Sequence, residues 1–347
     1  MRVHFWTLRD VADVADWDPD GNPGIHLDGF GHSFLEPYAR LRDHSDVIRA
    51  TIGATAPRGT HVLVASLDEV RGWRSRPLVR TNVHLAAAVL RCPRLVIVRN
   101  DLPPRIAAPS PTSVEVVPNR ASVLDPARQV PVRPLPQRGL RPRDAARADR
   151  IEVMALKAMQ ANVPEWVTEP GFTRGLARAG VTLRVDTEVD PTAWPDFTDV
   201  DLALCVRRHH RDIDADRAYG RKPATKLVNA WCAGAIPLAA RESGYLEVGH
   251  DARDTIFVDG PEDVLEAART LVADRALAER VRTEGRRRAE EFAAHAVMAE
   301  WERLLSDVPP RTRLTVAPHL VVMSGRAVRA VPRRIRRALS SRPQASG

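Results

Sequence analysis

Residues 201–206 are DLALCV and residues 221–237 are RKPATKLVNAWCAGAIP, and these two stretches decide the fold. The first is a short apolar run, typical of a strand that is buried on both faces. In the second, Pro223 is a natural helix-entry residue, so we expect a helix over 224–233. A strand over 236–239 follows it. A strand, a helix and another strand in this order indicate a parallel sheet with helices on its faces.

The same alternation extends through the rest of the chain. In the second half the pattern predicts further strands at 150–155, 181–185 and 255–258, and helices at 164–179, 244–248, 261–273 and 275–305. In the first half it predicts strands at 2–7, 60–65, 94–98 and 113–117, and helices at 32–43 and 82–90. The expected fold class is therefore α/β, with two Rossmann-like, doubly wound domains.

A proline-rich interval separates the two halves. Residues 103–142 contain ten prolines, which prevent a continuous helix and restrict sheet pairing to edges. We therefore expect a first domain over 1–124, a linker over 125–149, a second domain over 150–305 and a C-terminal tail over 306–347.

The net charge of +8 is concentrated in that tail. Residues 308–347 hold nine arginines and no acidic residue, so residues 1–307 carry a net charge of −1. A segment over 332–341 is a candidate helix for binding an anionic membrane surface, and a disordered, solubilising tail is the alternative. Aromatic residues are few, at 5%, and are not interleaved with a basic patch, so we expect no nucleic-acid partner.

The composition also excludes several classes of protein. No run reaches the roughly 18 apolar residues of a membrane-spanning helix, and the N-terminus lacks the pattern of a secretion signal. Cys92, Cys205 and Cys232 are widely spaced, so neither a disulfide framework nor a zinc cluster is expected. We expect a cytoplasmic protein, with peripheral attachment at the inner membrane face if the tail binds lipid.

Two of only three lysines lie within five residues of each other, at the predicted start of the helix over 224–233. Lys222 and Lys226 are compact cations beside the positive end of a helix dipole, which suits a diphosphate. Arg207 follows the preceding strand and is a third candidate for this anion site. The alternative is an ordinary solvent-exposed lysine pair.

A second turn between a strand and a helix contains Glu242, Ser243 and Gly244. The backbone N–H groups of Ser243 and Gly244 are candidate phosphate ligands, and Glu242 is a candidate acceptor for a sugar or ribose hydroxyl. Ordinary helix capping explains the same residues without a ligand.

The stretch 222–237, followed by 242–247, resembles the nucleotide-binding part of GT-B glycosyltransferases with a group 1-like C-terminal domain. The matching features are Lys226-Leu227, the helix segment Ala230–Ala233, the turn 234–237 and the segment from Glu242 to Glu247. The resemblance covers residues 137–305, whereas in the first half only the order of the predicted elements agrees.

This resemblance implies a glycosyltransferase that binds a nucleoside-diphosphate sugar in the second domain and its acceptor in the first. Sugar transfer would occur in the cleft between them, without a metal or another cofactor. The acceptor would be a glycan, a lipid-linked molecule or a small molecule, as in the synthesis of cell-surface polysaccharides or glycoconjugates. The expected donor-binding residues are Arg207, Lys222, Lys226, Asn229, Glu242, Ser243, Gly244, Tyr245 and Glu247.

The chain departs from the family pattern at one point. Retaining members with a similar pattern carry two glutamates eight residues apart, and the matching positions here are Arg221 and Asn229. The carboxylate for the ribose is absent unless Glu242 or Glu247 replaces it, and retention of configuration does not follow from the sequence. A non-catalytic nucleotide- or polyanion-binding protein on the same fold is therefore the alternative function. A nicotinamide-dependent dehydrogenase is disfavoured because neither half has GxGxxG after its first strand.

An inverting transferase needs a base near the acceptor hydroxyl. Asp28 and His32 lie where the loop after the first strand opens a helix, and Asp101 follows the strand over 94–98. These three are the candidate catalytic residues, and helix capping is the alternative role for each.

Overall fold

The computed structural model describes residues 1–24, 28–67, 85, 88–89, 92–99, 113–190, 192–208 and 222–310. These residues form two parallel β-sheets with helices packed on them, which confirms the predicted α/β class. No helix in these ranges is both long enough and apolar enough to cross a membrane. The predicted tail helix over 332–341 lies outside the described residues.

The first sheet has six strands in the order β2-β1-β3-β4-β5-β6, and every pair is parallel. Its strands are β1 (Arg2–Trp6), β2 (Arg49–Gly53), β3 (Val62–Ser66), β4 (Arg94–Val98), β5 (Val114–Val117) and β6 (Gln129–Pro131). Strand β3 is buried along its whole length, as its uninterrupted apolar sequence predicts.

The second sheet has five strands in the order β11-β10-β9-β7-β8, again all parallel. Its strands are β7 (Val153–Lys157), β8 (Thr182–Asp186), β9 (Leu202–Cys205), β10 (Ile236–Ala240) and β11 (Ile256–Val258). The predicted unit of strand, helix and strand is present.

Eight α-helices accompany the sheets in the described ranges. They are α1 (Ala12–Ala15), α2 (Glu36–His44), α3 (Pro170–Arg178), α4 (Thr225–Ala233), α5 (Ser243–Val248), α6 (Pro261–Ala273), α7 (Arg275–Ala289) and α8 (Ala294–Asp307). A π-helical turn, Gly31–Leu35, leads into α2. Helix α4 ends at Gly234, whose φ of 72° is the left-handed conformation that favours glycine.

The prediction of one helix over 275–305 is wrong. A 3₁₀ turn, Glu290–Phe292, and an extended Ala293 separate α7 from α8. The break changes the direction of the chain, and α8 then packs against the core of the first sheet through Trp301 and Leu305. A change of direction enforced by tertiary packing has no periodicity signal in the sequence.

The interval expected to be the linker contains the edge strand β6, which ends at Pro131. This position agrees with the restriction of proline to sheet edges. Farther along, Arg143 and Arg147 both donate to the buried carboxylate of Asp201, at 2.7–2.9 Å. Burial opposes ionisation of Asp201, but the hydrogen bonds outweigh it and lower its pKa. The segment is therefore held against the second sheet by ionic contacts.

Candidate active site

The carboxyl ends of strands from both sheets meet at one cavity of about 320 Å³. Arg99 and Pro118 line it after β4 and β5 of the first sheet, and Ala158 and Arg207 line it after β7 and β9 of the second. Ligands bind at this end of the strands in open α/β sheets. The cavity therefore lies at the position predicted for the cleft between the two domains.

Lys226 lies in the first turn of α4 and lines this cavity. Its Nζ donates to the carbonyl of Val206 at 3.0 Å. Burial of the ammonium, and next the positive charge of Arg207, lower the pKa of Lys226 to about 7. A desolvated cation beside a helix N-terminus is a strong site for an incoming anion.

Arg207 also lines the cavity, but its guanidinium is paired with Glu242. Both side chains are nearly buried, and the guanidinium lies 5.3 Å from the ring centre of Tyr245. Tyr245 is fully buried, and this burial raises the pKa of its hydroxyl. Glu242, the carboxylate predicted to bind the ribose, is thus paired with Arg207, the arginine predicted to bind the phosphate.

The other residues of the predicted donor set around α5 lie at the seam between the domains and do not line the cavity. A Cβ on Gly244 would lie 2.5 Å from the carbonyl oxygen of Lys222, so α5, which begins at Ser243, packs tightly on that backbone. Glu247 accepts from the backbone N–H of Arg120 at 2.6 Å.

Asn229 lines the cavity three residues after Lys226, and its amide is bound to the segment between the domains. Its Oδ1 accepts from the backbone N–H of Gln137 at 2.8 Å, and its Nδ2 donates to Gln137 Oε1 at 3.3 Å. Both ends of the predicted donor-binding amide are thus used within the protein.

On the opposite wall, His32 lies in the π-helical turn before α2 and contacts the carboxylate of Glu36. His32 Nδ1 is 3.2 Å from Glu36 Oε2. Glu36 is fully buried and also accepts from Arg40 Nε at 2.9 Å and from Arg138 Nη1 at 2.8 Å. Burial alone would raise the pKa of Glu36, but the His32 hydrogen bond and the charges of His32 and the two arginines outweigh it and lower the pKa.

This environment determines which ring nitrogen of His32 is available. Ionised Glu36 can only accept, so a neutral His32 must carry its proton on Nδ1. The lone pair is then on Nε2, which is buried and has no hydrogen-bond partner among the described residues. His32 lines the cavity, but Nε2 itself is not exposed, so this nitrogen can accept a proton from a bound molecule only after a local movement opens it to the cavity.

Asp28 also lines the cavity, but it is largely exposed. Its Oδ1 accepts from the backbone N–H of Gly31 at 2.7 Å, and its Oδ2 is 3.7 Å from Arg9 Nη1. These contacts are those of a capping residue. Asp101 lies outside the described residues.

Sequence reasoning missed Glu36, Gln137 and Arg138. The spacing of His32 and Glu36, four residues apart and ahead of a helical pattern, was a usable signal for their contact. It also missed Lys157, which lines the cavity. Lys157 Nζ donates to Asp186 and to two backbone carbonyls at 2.6–2.8 Å, so this lysine supports the neighbouring loop.

Comparison with known proteins agrees with this geometry. Residues 173–306 match a family model described as glycosyl transferase-like. No curated protein matches the sequence of the chain.

Two solved structures share the two-domain fold. One is sucrose-phosphate synthase from Thermosynechococcus elongatus, with a TM-score of 0.56, 9% identity, and coverage of 87% of this chain and 98% of that one. The other is HepE from Anabaena in complex with UDP and glucose, with a TM-score of 0.50, 11% identity, and coverage of 89% and 100%. The fold is the GT-B fold. The chain therefore combines a GT-B fold with a glycosyl transferase-like segment over residues 173–306.

Proposed function

We propose that the protein transfers a sugar from a nucleoside-diphosphate sugar to an acceptor hydroxyl in this cleft. The donor would bind to the second domain, residues 150–305, and the acceptor to the first, residues 1–124. The main support for this proposal is the position of Lys226. Its ammonium group is buried in the first turn of α4, and the residue lines the cavity.

Bond cleavage in the donor leaves negative charge on the departing diphosphate. A cation and helix dipole already oriented toward that position stabilise the transition state more than the ground state. We assign this role to Lys226 and the N-terminus of α4, with Arg207 as a second cation once the phosphate competes with Glu242 for it. Protein cations supply the positive charge in this proposal, so the reaction needs no metal.

His32 is the proposed base. As the acceptor oxygen forms its bond to the anomeric carbon, the acceptor proton moves to His32 Nε2. The bond between the anomeric carbon and the diphosphate oxygen breaks, and its electron pair leaves with the nucleotide. Ionised Glu36, 3.2 Å from Nδ1, stabilises the imidazolium that forms.

UDP is the first nucleotide to test, because the Anabaena structure of the same fold holds UDP and glucose. A glycan, a lipid-linked molecule or a small molecule remains the proposed acceptor, in a pathway of cell-surface glycoconjugate synthesis. We propose a cytoplasmic location, with a peripheral membrane position if the tail binds lipid.

Release of nucleotide from a panel of UDP-, GDP- and ADP-sugars, with a mixture of acceptors, tests the proposal. We expect release from one donor class and a loss of about 10²-fold in rate for His32→Ala. The matched control is Ser45→Ala, which loses a hydrogen bond to Glu302 outside the cavity and should keep the wild-type rate. Binding of a nucleoside diphosphate without release from any donor would instead favour the non-catalytic alternative.

A further inference from the structure

A continuous chain of contacts joins α4 to His32. Asn229 lies one helical turn after Lys226 in α4, and both residues line the cavity. The Asn229 amide holds Gln137, whose neighbour in sequence, Arg138, donates to Glu36. Glu36 in turn contacts His32, on the other side of the cleft.

The side chains of Asn229, Arg138 and Glu36 are buried, whereas those of Gln137 and His32 are half-buried. The exposed fractions of Asn229, Arg138 and Glu36 are 6%, 5% and 0%. The backbone N–H of Gln137 can only donate, so it fixes the orientation of the Asn229 amide. Arg138 is further held against the ring of Trp17, whose centre lies 4.7 Å from the guanidinium carbon. Buried, hydrogen-bonded side chains transmit position better than exposed ones, because they have few alternative arrangements.

We propose that Asn229 is a positioning residue which, through Gln137 and Arg138, fixes the Glu36–His32 pair relative to Lys226. This inference rests on the proposed function, since it gives the two walls of the cleft separate chemical roles. It assigns to Asn229 a task different from the ribose contact expected at this position. The Asn229 amide accepts from the backbone N–H of Gln137 and donates to its side-chain carbonyl, whereas an ionised carboxylate could only accept and would require the Gln137 amide to turn over.

The charges around His32 explain why its position depends on this chain. His32 contacts Glu36 on α2, and Glu36 is also paired with Arg40, one turn farther along, and with Arg138 from the segment between the domains. Loss of the Gln137 anchor would free Arg138 to withdraw from Glu36. The Glu36 carboxylate would keep its contact with Arg40 Nε at 2.9 Å and could turn toward it, away from His32 Nδ1.

The first test needs no substrate. Imidazole ¹H–¹⁵N spectra of the full-length protein report which nitrogen of His32 carries the proton. We expect the Nδ1-protonated form in the wild type, and a mixture of forms in Asn229→Ala and in Arg138→Met. Ser45→Ala should match the wild type. An unchanged His32 signal in Asn229→Ala would overturn the inference.

The second test separates positioning from nucleotide contact. For Asn229→Ala we expect UDP affinity within about 3-fold of the wild type and kcat for UDP release from UDP-glucose lower by about 10-fold, the order expected for a misplaced catalytic group. Adding His32→Ala to this variant should cost little beyond His32→Ala alone. Weaker UDP binding with unchanged kcat would place Asn229 on the nucleotide and overturn the inference.

Two outcomes keep the proposals distinguishable. If Asn229→Ala does not fold, Asn229→Asp keeps the acceptor for the Gln137 N–H and should keep the wild-type His32 signal. If no nucleoside diphosphate binds to the wild type, the proposed function fails, while the spectra still decide whether Asn229 positions His32.

Discussion

At the scale of single residues, the proposed binding of a diphosphate at Lys226 should depend on pH. Its pKa of about 7 reflects burial and the charges of Arg207 and Lys222, and Cys205 beside it stays a neutral thiol because burial raises its pKa to about 12. The charged form predominates below pH 7 and binds the anion, so affinity should fall as the pH rises above 7. At pH 8 the diphosphate is already ionised, and binding should take up close to one proton. Calorimetry in two buffers of different ionisation enthalpy measures this uptake, and no uptake would contradict the assignment.

Lys226→Met should lose diphosphate binding and gain stability. The folded-state pKa of Lys226 lies below its ordinary value of 10.5, so the cost of burying the charge is greatest below pH 7 and fades as the pH rises toward 10.5. Replacing buried charged groups with apolar side chains of similar volume stabilises a protein by about 1–4 kcal/mol. Thermal unfolding should therefore show a higher Tm for the variant, with a larger gain at pH 6 than at pH 9. A lower Tm at pH 6 would be inconsistent with a desolvated ammonium.

The sequence predicts some of these residues better than others. The scarcity of lysine draws attention to Lys226 before any fold is known. The partners of Asn229 and Glu242 could not be predicted, because Gln137 lies 92 residues from Asn229, and Arg207 lies 35 residues from Glu242. A contact between distant segments depends on how the two domains pack, and no local pattern records that packing.

At the scale of elements, the unit of β9, α4 and β10 is predictable because its signals lie close together in the sequence. They are an apolar run over 201–206, Pro223 at the start of the helix and Gly234 directly after its end. Strands β2 and β6 escape prediction because β2 is mostly half-buried and β6 has only three residues and ends in proline, whereas the edge strands β8 and β11 are predicted. The break between α7 and α8 escapes it because both helices share one continuous helical pattern.

Helix α7 packs closely against α4 at Gly285. A Cβ there would lie 2.7 Å from Cδ1 of buried Trp231 on α4. Gly285→Ala should therefore destabilise the protein by about 1–2 kcal/mol despite the better helix propensity of alanine. Gly171→Ala in α3 is the matched control, because nothing lies within 4 Å of its added Cβ. Urea unfolding should give a lower free energy of unfolding for Gly285→Ala than for Gly171→Ala. Equal free energies would contradict the prediction and would show that α7 has room to shift.

At the scale of the whole molecule, the cleft forms because the carboxyl ends of both sheets face one cavity and α8 returns to the first sheet. Two α/β units separated by a proline-rich interval are predictable from sequence periodicity. Their mutual arrangement depends on contacts such as those of Arg133, which donates to Glu300 at 2.6 Å and to the carbonyl of Glu291 at 2.5 Å. These partners are more than 150 residues away in sequence.

The basic tail predicts a behaviour of the full chain. Residues 311–347 carry nine arginines and no acid, and they lie outside the described residues. Each basic residue near an anionic leaflet contributes about 1 kcal/mol to binding. The full chain should co-sediment with phosphatidylglycerol vesicles and not with phosphatidylcholine vesicles. A chain truncated after Pro310, which keeps the buried Val308, should bind neither, and equal binding by the two chains would reject a membrane role for the tail.

The cleft is proposed to bind a nucleoside diphosphate through Lys226. Calorimetric titration of UDP, GDP and ADP into the wild-type protein and into Lys226→Met tests it most directly. We predict binding of one nucleotide at one site per chain, weakened at least about 10-fold in the variant, as expected for loss of a charged hydrogen bond. Absence of binding by all three nucleotides, or equal affinity in wild type and variant, would contradict the account.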